Sequence, residues 1–154
     1  MEQIAKKRYK AFKKFKFNQN VTIMKKGLFI YSTYGFLGAS PDGLVRTGKS
    51  YLIEVKCPYT YRFQTIEDAF KDNSCCCFLD DDNNVQLKLS RKYFTHIQRK
   101  MATCQLQKWE LFVYTTKDMK IIEISYDSSF WEDLLHKLNF VYELSVVPSL
   151  FQKE

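Results

Sequence analysis

The chain has 154 residues, 45% hydrophobic and 16% aromatic, enough for one domain with a substantial core. Its 24 Lys and Arg against 17 Asp and Glu leave a net charge of +7, which favours a polyanionic partner. No apolar run approaches the ~20 residues that span a bilayer, the first residues do not form a signal peptide, and five Cys, three of them contiguous, make no disulfide framework. Reduced thiols in an intracellular setting, cytoplasm or nucleus, are therefore expected.

Residues 2–17 are expected to form an amphipathic helix. Ile4, Ala5, Tyr9, Phe12 and Phe15 fall on one arc, and Lys6, Lys7, Lys10, Lys13 and Lys14 on the other. Glu2 sits at the border of the apolar arc, near Tyr9. A lysine run is commonly a solvated face. Its density and one-sidedness here favour contact with a phosphate backbone, since each neutralised phosphate releases counterions.

Residues 28–31 and 36–39 are expected strands, the second leading into Asp42. Residues 46–50 (RTGKS) read as a hairpin loop joining 44–45 to the strand that carries Glu54 and Lys56, and Pro58 stops that strand. A short helix is expected over 61–69 and a polar loop over 71–84. That loop holds Asp80, Asp81 and Asp82, read as a solvated turn because adjacent carboxylates diverge. It also holds Cys75, Cys76 and Cys77, whose contiguity lacks the spacing that lets thiolates converge on zinc.

Residues 85–89 alternate as a half-buried strand, and Ser90 is the expected cap of a helix reaching about 107. Its apolar stripe is Tyr93, Phe94, Ile97, Met101 and Cys104, with Gln98 on the flank. Strands follow at 109–114 and 120–125. Ser128 is expected to cap a last helix with Phe130, Trp131, Leu134, Leu135, Leu138 and Val141 inward, His136 one step off that stripe, and Pro148 ending the ordered chain. The order predicts an α/β sandwich with a central mixed sheet.

The chemistry concentrates between residues 35 and 58. Side chains of a strand alternate, so Glu54 and Lys56 share a face while Val55 points into the core. Folding the hairpin back brings Asp42 beside Glu54. Two carboxylates and a main-chain carbonyl such as that of Val55 make a hard-oxygen site suited to Mg²⁺, with Mn²⁺ as a substitute. Such an ion would polarise a phosphodiester, and Lys56 would lower the pKa of the attacking water or steady the transition state. Taken alone, Asp-Gly is also ordinary turn chemistry and Glu-x-Lys an ordinary strand ion pair.

The set as a whole resembles the lambda-exonuclease / YqaJ viral-recombinase family of PD-(D/E)xK nucleases. The resemblance is carried by GASPDGLV at 38–45, LIEVKCPYT at 52–60, YFTHIQRKM at 93–101, Trp109 with FVYT at 112–115, and FWEDLLHKL at 130–138. Glu2-x-x-Ala5-Lys6-x-x-Tyr9 is similar to the family's first helical motif. The resemblance implies a restriction-endonuclease-like core and hydrolysis of DNA, expected to be double-stranded, leaving a 5′-phosphate. It implies that Asp42 and Glu54 bind the metal, that Glu2 helps hold a second metal or the water, that Lys56 assists the water, and that Gln98 positions water or Lys56. Ser40 and Arg46 join the helix lysines as DNA-contacting candidates. Where the family's helical motif reads Q-x-Q, this chain has His96 first, so only Gln98 is carried over, and His96 is either a donor in that glutamine's place or a surface residue. The chain is expected to be a single domain over 1–154 beginning at the family's catalytic helix, without the upstream helices that grip the duplex end. Exonuclease action (5′-to-3′), endonuclease action and homo-oligomerisation all stay open. Two other readings stand beside the nuclease: a catalytically impaired DNA-binding relic, and a protein-interaction module on the same fold.

Overall fold

Apolar alternation along residues 51–56 sets the architecture. The computed structural model, which describes residues 1–71, 77–80, 85–87 and 91–151, makes this stretch the middle strand of a five-stranded mixed sheet. In chain order the elements are α1 (Glu2–Phe17), β1 (Thr22–Met24), β2 (Phe29–Ile30), β3 (Gly38–Ala39), β4 (Gly43–Arg46), β5 (Tyr51–Lys56), α2 (Ile66–Phe70), β6 (Cys77–Leu79), β7 (Val85–Leu87), α3 (Arg91–Cys104), β8 (Lys108–Tyr114), β9 (Met119–Ser125), α4 (Ser128–Val141), a π-helical turn (Tyr142–Val146) and α5 (Val147–Phe151). The sheet order is β1-β4-β5-β8-β9. All neighbours are antiparallel except β5 and β8, which are parallel and so need the long crossover containing α2, β6, β7 and α3. The expected α/β sandwich with a central mixed sheet is the one observed.

Strand periodicity divides the core. Tyr51, Ile53 and Val55 face α1, packing with Ala5, Tyr9, Val21, Val45 and Phe112. Leu52 faces the other way with Trp109, Leu111 and Val113, under Ile97 and Met101 of α3 and Ile66 of α2. Leu52 and Ile53 are fully buried, each contributing about 1.5–3 kcal/mol by leaving water. A third cluster packs Trp131 of α4 on Leu37 and Ala102. No described helix is long and apolar enough to cross a membrane.

Several expectations need correction. Helix α1 turns its Ala5–Tyr9–Lys13 ridge to the sheet, leaving Ile4 exposed and Phe15 93% exposed. Lys13 therefore does not belong to the exposed lysine arc. The spacing i, i+4, i+8 puts it under Tyr9, and a buried carboxylate described below holds it there. Asn18, at φ 53°, ends α1 in the left-handed conformation.

The chain also pairs β1 with β4; β1 is a short edge strand not among the expected ones, although Val21, Thr22 and Ile23 are β-branched. The strands expected at 28–31 and 36–39 form a separate two-stranded ribbon, not part of the central sheet. Residues 77–79, expected within a polar loop, form β6 against β7, with Cys77 buried.

Helix α2 begins only at Ile66, because the Thr65 Oγ1 caps it by accepting from the Asp68 amide at 3.2 Å. Asp127, not Ser128, caps α4, accepting from the Phe130 amide at 2.9 Å. Val141 is exposed rather than inward. Pro148 does not end the structure but lies in α5, directly after the π-helical turn. A wider turn relieves the clash of a proline ring with the carbonyl four residues back. Cys75, Cys76, Asp81, Asp82 and Ser90 lie outside the described residues.

Candidate active site

The hairpin that positions the site has the register Gly43↔Ile53, Leu44↔Leu52, Val45↔Tyr51. Asp42 stands in the bend one residue before β4, and Glu54 is the residue after Ile53 on β5, so the two flank the last pair of the hairpin. Glycine is required at the junction: a Cβ at Gly43 would lie 2.7 Å from Ile23 Cγ2 and 3.1 Å from Ile53 Cγ2. The Asp-Gly pair is therefore tied to close packing as well as to the turn.

Glu54 and Lys56 share the face of β5 that looks toward α3. Glu54 is buried, and Lys56 Nζ lies 2.5 Å from its Oε1 while remaining 43% exposed. Helix α3 completes the environment. The Tyr93 hydroxyl donates to Glu54 Oε1 at 3.1 Å, and Lys100 Nζ donates to Oε2 at 3.3 Å. Burial pushes the Glu54 carboxyl up, yet Lys56 and Lys100 outweigh it and hold it below the ordinary carboxylate range. The magnitudes agree. At 3.3 Å and an effective dielectric of about 20, one ammonium attracts the carboxylate by roughly 5 kcal/mol. Two of them exceed a desolvation cost of several kcal/mol, so Glu54 is an anion at neutral pH.

Sequence reasoning did not identify Tyr93 or Lys100 as part of this site and left His96 open between a donor and a surface residue; the structure sets His96 beside Lys100 and within the influence of Glu54. The signal was present. Positions 93, 96 and 100 share one face of a 3.6-residue helix, and a lysine on a sheet-facing stripe needs a buried carboxylate. His96 is half-buried. Burial first, then the neighbouring Lys100 and Arg99, lower its pKa against the opposing pull of Glu54. At neutral pH its ring is uncharged.

Gln98 is elsewhere. It is fully buried, its Nε2 donates to the Ser125 carbonyl at 3.0 Å, and its Oε1 accepts from the Asp127 amide at 2.9 Å. Both ends of the side chain are committed to joining α3 with the end of β9 and the start of α4. The expectation that Gln98 reaches water or Lys56 is corrected: it lies about 140–200° around the helix from Tyr93, His96 and Lys100.

Glu2 and Asp42 come together on the walls of one cleft of about 470 Å³, which Lys6, Lys25, Lys26 and Ser40 also line. Glu2 is exposed and pairs with Lys6 Nζ at 2.6 Å, and that hydrogen bond lowers its pKa. Lys25 and Lys26 were not singled out from sequence, because they lie outside the helical lysine run. Lys7, Lys10 and Lys14 are exposed on α1. Arg46 is exposed but sits at the far end of β4 from Asp42.

Lys13 is 4% exposed and serves a second buried carboxylate on the opposite face of the sheet. Glu110 Oε1 accepts from Lys13 Nζ at 2.7 Å and pairs with Lys108 at 2.9 Å; its Oε2 accepts from the Tyr9 hydroxyl at 2.7 Å. The Tyr51 hydroxyl lies 2.8 Å from that of Tyr9. Burial raises the Glu110 carboxyl, but Lys13 and Tyr9 bring it below its ordinary value.

Among the described residues, no three His, Cys, Asp or Glu side chains converge as a ready-made metal cluster. The donor chemistry of the site nonetheless fits a hard divalent cation. Asp42, Glu54 and the Val55 carbonyl offer only oxygen, and Glu54 is held ionised, although a cation would have to share its oxygens with the ammonium groups of Lys56 and Lys100.

The sheet order, the helices on both faces and this hairpin define a restriction-endonuclease-like, PD-(D/E)xK α/β fold. The crystal structure of an alkaline exonuclease, LHK-Exo from Laribacter hongkongensis, matches with a TM-score of 0.65 and 23% identity, covering 98% of this chain and 68% of that one. A structure of LHK-Exo in complex with dAMP matches with a TM-score of 0.54 and 23% identity, over 94% of this chain and 70% of that one. No curated protein matches significantly. The YqaJ-like viral recombinase domain profile matches residues 1–118, and the chain belongs to that family.

Proposed function

We propose that the protein is a metal-dependent deoxyribonuclease that hydrolyses phosphodiester bonds of double-stranded DNA and leaves a 5′-phosphate. The observation that carries this reading is the buried, ionised Glu54 on β5 with Lys56 on its face at the solvent boundary, at the end of the hairpin where Asp42 precedes β4. Membership of a viral recombinase family and a fold shared with alkaline exonucleases support it.

Asp42, Glu54 and the Val55 carbonyl would hold Mg²⁺ or Mn²⁺, with Glu2 approaching from the cleft wall. When bound, the ion supplies Lewis-acid polarisation of the phosphoryl oxygen and lowers the pKa of its water. Lys56 offers a half-exposed ammonium that stabilises the charge growing on the phosphoryl oxygens. Lys100 and Tyr93 keep Glu54 ionised and fix its rotamer. Lys6, Lys25 and Lys26 neutralise backbone phosphates along the cleft, and Lys7, Lys10 and Lys14 extend that basic surface. A water oxygen bonds to phosphorus as the bond to the 3′-oxygen breaks, and the water's proton ends on that oxygen. Products are a 3′-hydroxyl and a 5′-phosphate.

The test is digestion of linear and closed-circular plasmid with Mg²⁺, with Ca²⁺ and with chelator, Asp42→Ala alongside. Mg²⁺-dependent shortening of linear DNA, reduced about 10²-fold or more in Asp42→Ala, is expected. Undiminished cleavage in that variant, or none in the wild type, overturns the reading.

A further inference from the structure

Directly after Lys56 the chain passes Cys57 and Pro58 into a segment wound in successive turns. The Tyr61, Arg62 and Gln64 amides donate to the carbonyls of Pro58, Tyr59 and Tyr61 at 3.2, 3.4 and 2.9 Å. The segment is anchored. The Arg62 carbonyl accepts from both the amide (2.9 Å) and the hydroxyl (2.6 Å) of Thr116, in the turn between β8 and β9. Arg62 Nη1 donates to the Tyr59 carbonyl at 2.8 Å, which fixes the guanidinium. That group lies 3.9 Å from the Tyr59 ring centroid and 4.6 Å from that of Phe63.

Held in this way, the aromatic rings still face water: Tyr59 is 74% and Phe63 66% exposed. A local lock would need only the Arg62–Tyr59 contact and gives no reason for Phe63 to stand in solvent. A core anchor would be buried. What remains is a rigid, cationic set of planar faces beside Lys56. Two residues, Cys57 and Pro58, separate Lys56 from Tyr59, so three chain steps give a reach of at most ~10 Å, about three base-to-base rises along a strand.

We propose that Tyr59, Arg62 and Phe63 form a stacking platform for unpaired nucleobases of a single-stranded DNA end entering the phosphodiester site. The inference rests on the nuclease reading and deepens it. Every base has a π-face, so aromatic rings and a guanidinium accept it without sequence preference, while the positive charge suits the flanking phosphate.

The experiment is fluorescence anisotropy with the full chain in chelator, where binding is measured without cleavage. The probes are a short single-stranded oligonucleotide and its twin with abasic residues at the end, equal in phosphate charge. The wild type is expected to bind the base-bearing strand at least about 5-fold tighter, the lower end of the effect of stacking one base. Tyr59→Ala and Phe63→Ala should each reduce that ratio and leave affinity for the abasic strand unchanged. Arg62→Lys, which keeps the charge but not the plane, should reduce it too, and Tyr59→Phe should preserve it. A wild type indifferent to the bases, or alanine variants with the wild-type ratio, overturns the platform. Because no cleavage is involved, loss of the base preference refutes the platform alone, whereas absent plasmid digestion with the preference intact refutes only the nuclease reading.

Discussion

Lys13 is the residue at which sequence pattern and tertiary structure disagree most sharply about function, and Lys13→Met separates them. In the structure its ammonium is buried 2.7 Å from Glu110 Oε1. At that distance and an effective dielectric of about 20 the attraction is roughly 6 kcal/mol, partly offset by desolvation of both ions. Removing one member of such a pair typically costs about 3–5 kcal/mol because the other charge stays buried. Lys108 and the Tyr9 hydroxyl still reach Glu110, so the loss should fall near the lower end, about 3 kcal/mol.

Urea unfolding measures this, with the exposed Lys10→Met as a control expected to change stability by no more than about 0.5 kcal/mol. DNA binding across salt concentrations supplies the second readout. Each exposed lysine on a phosphate contributes about 0.9 to the slope of log K against log salt for duplex DNA. Lys13→Met should leave that slope unchanged, whereas Lys10→Met should lower it. A Lys13 variant as stable as Lys10→Met, with a reduced slope, refutes the buried pairing.

Other perturbations address the site and its frame. The Glu54 and Glu110 carboxyls sit below their ordinary value of 4.5 in the folded chain, so their stabilisation is complete above that value and is lost as pH falls through the depressed ones. Urea midpoints should accordingly hold steady from neutrality to mild acid and then fall; a decline beginning near neutrality contradicts the ionised pairs. Gly43→Ala should destabilise by about 1–3 kcal/mol through its clash with Ile23 and Ile53, and Ile23→Ala should recover part of the loss. Gln98→Ala should cost about 1–3 kcal/mol by leaving the Asp127 amide unsatisfied. Its cleavage rate, measured well below its melting temperature, should stay within a few-fold of wild type. A collapse in rate without loss of stability would return Gln98 to the reacting centre.

Local chemistry determined a good part of this protein. Strand alternation along 51–56, the glycine-bearing hairpin and the helical stripe from Tyr93 to Cys104 depend on neighbours a few residues away, so the strand, the hairpin register and α3 follow from the order of residues. Asp127 and Thr65 show where that legibility weakens: cap geometry depends on one backbone angle, and adjacent polar residues compete for the role. The partners of the buried charges were decided only in three dimensions. Lys13 meets Glu110 across 97 positions, and Lys100 meets Glu54 across 46. A lysine on a helix looks the same in sequence whether its face meets water or a buried carboxylate. The packing of α1 and α3 on opposite faces of the sheet makes that choice, and it withdraws Lys13 from the basic surface while bringing Lys100 and His96 to the site. Gln98 follows the same logic, since a helix rotation of about 200° places it on the α4 side and His96 on the Glu54 side. The three-residue strands β6 and β1 are likewise too short to be decided locally, even with the β-branched Thr22 and Ile23 in β1, and a partner strand satisfies the backbone of each.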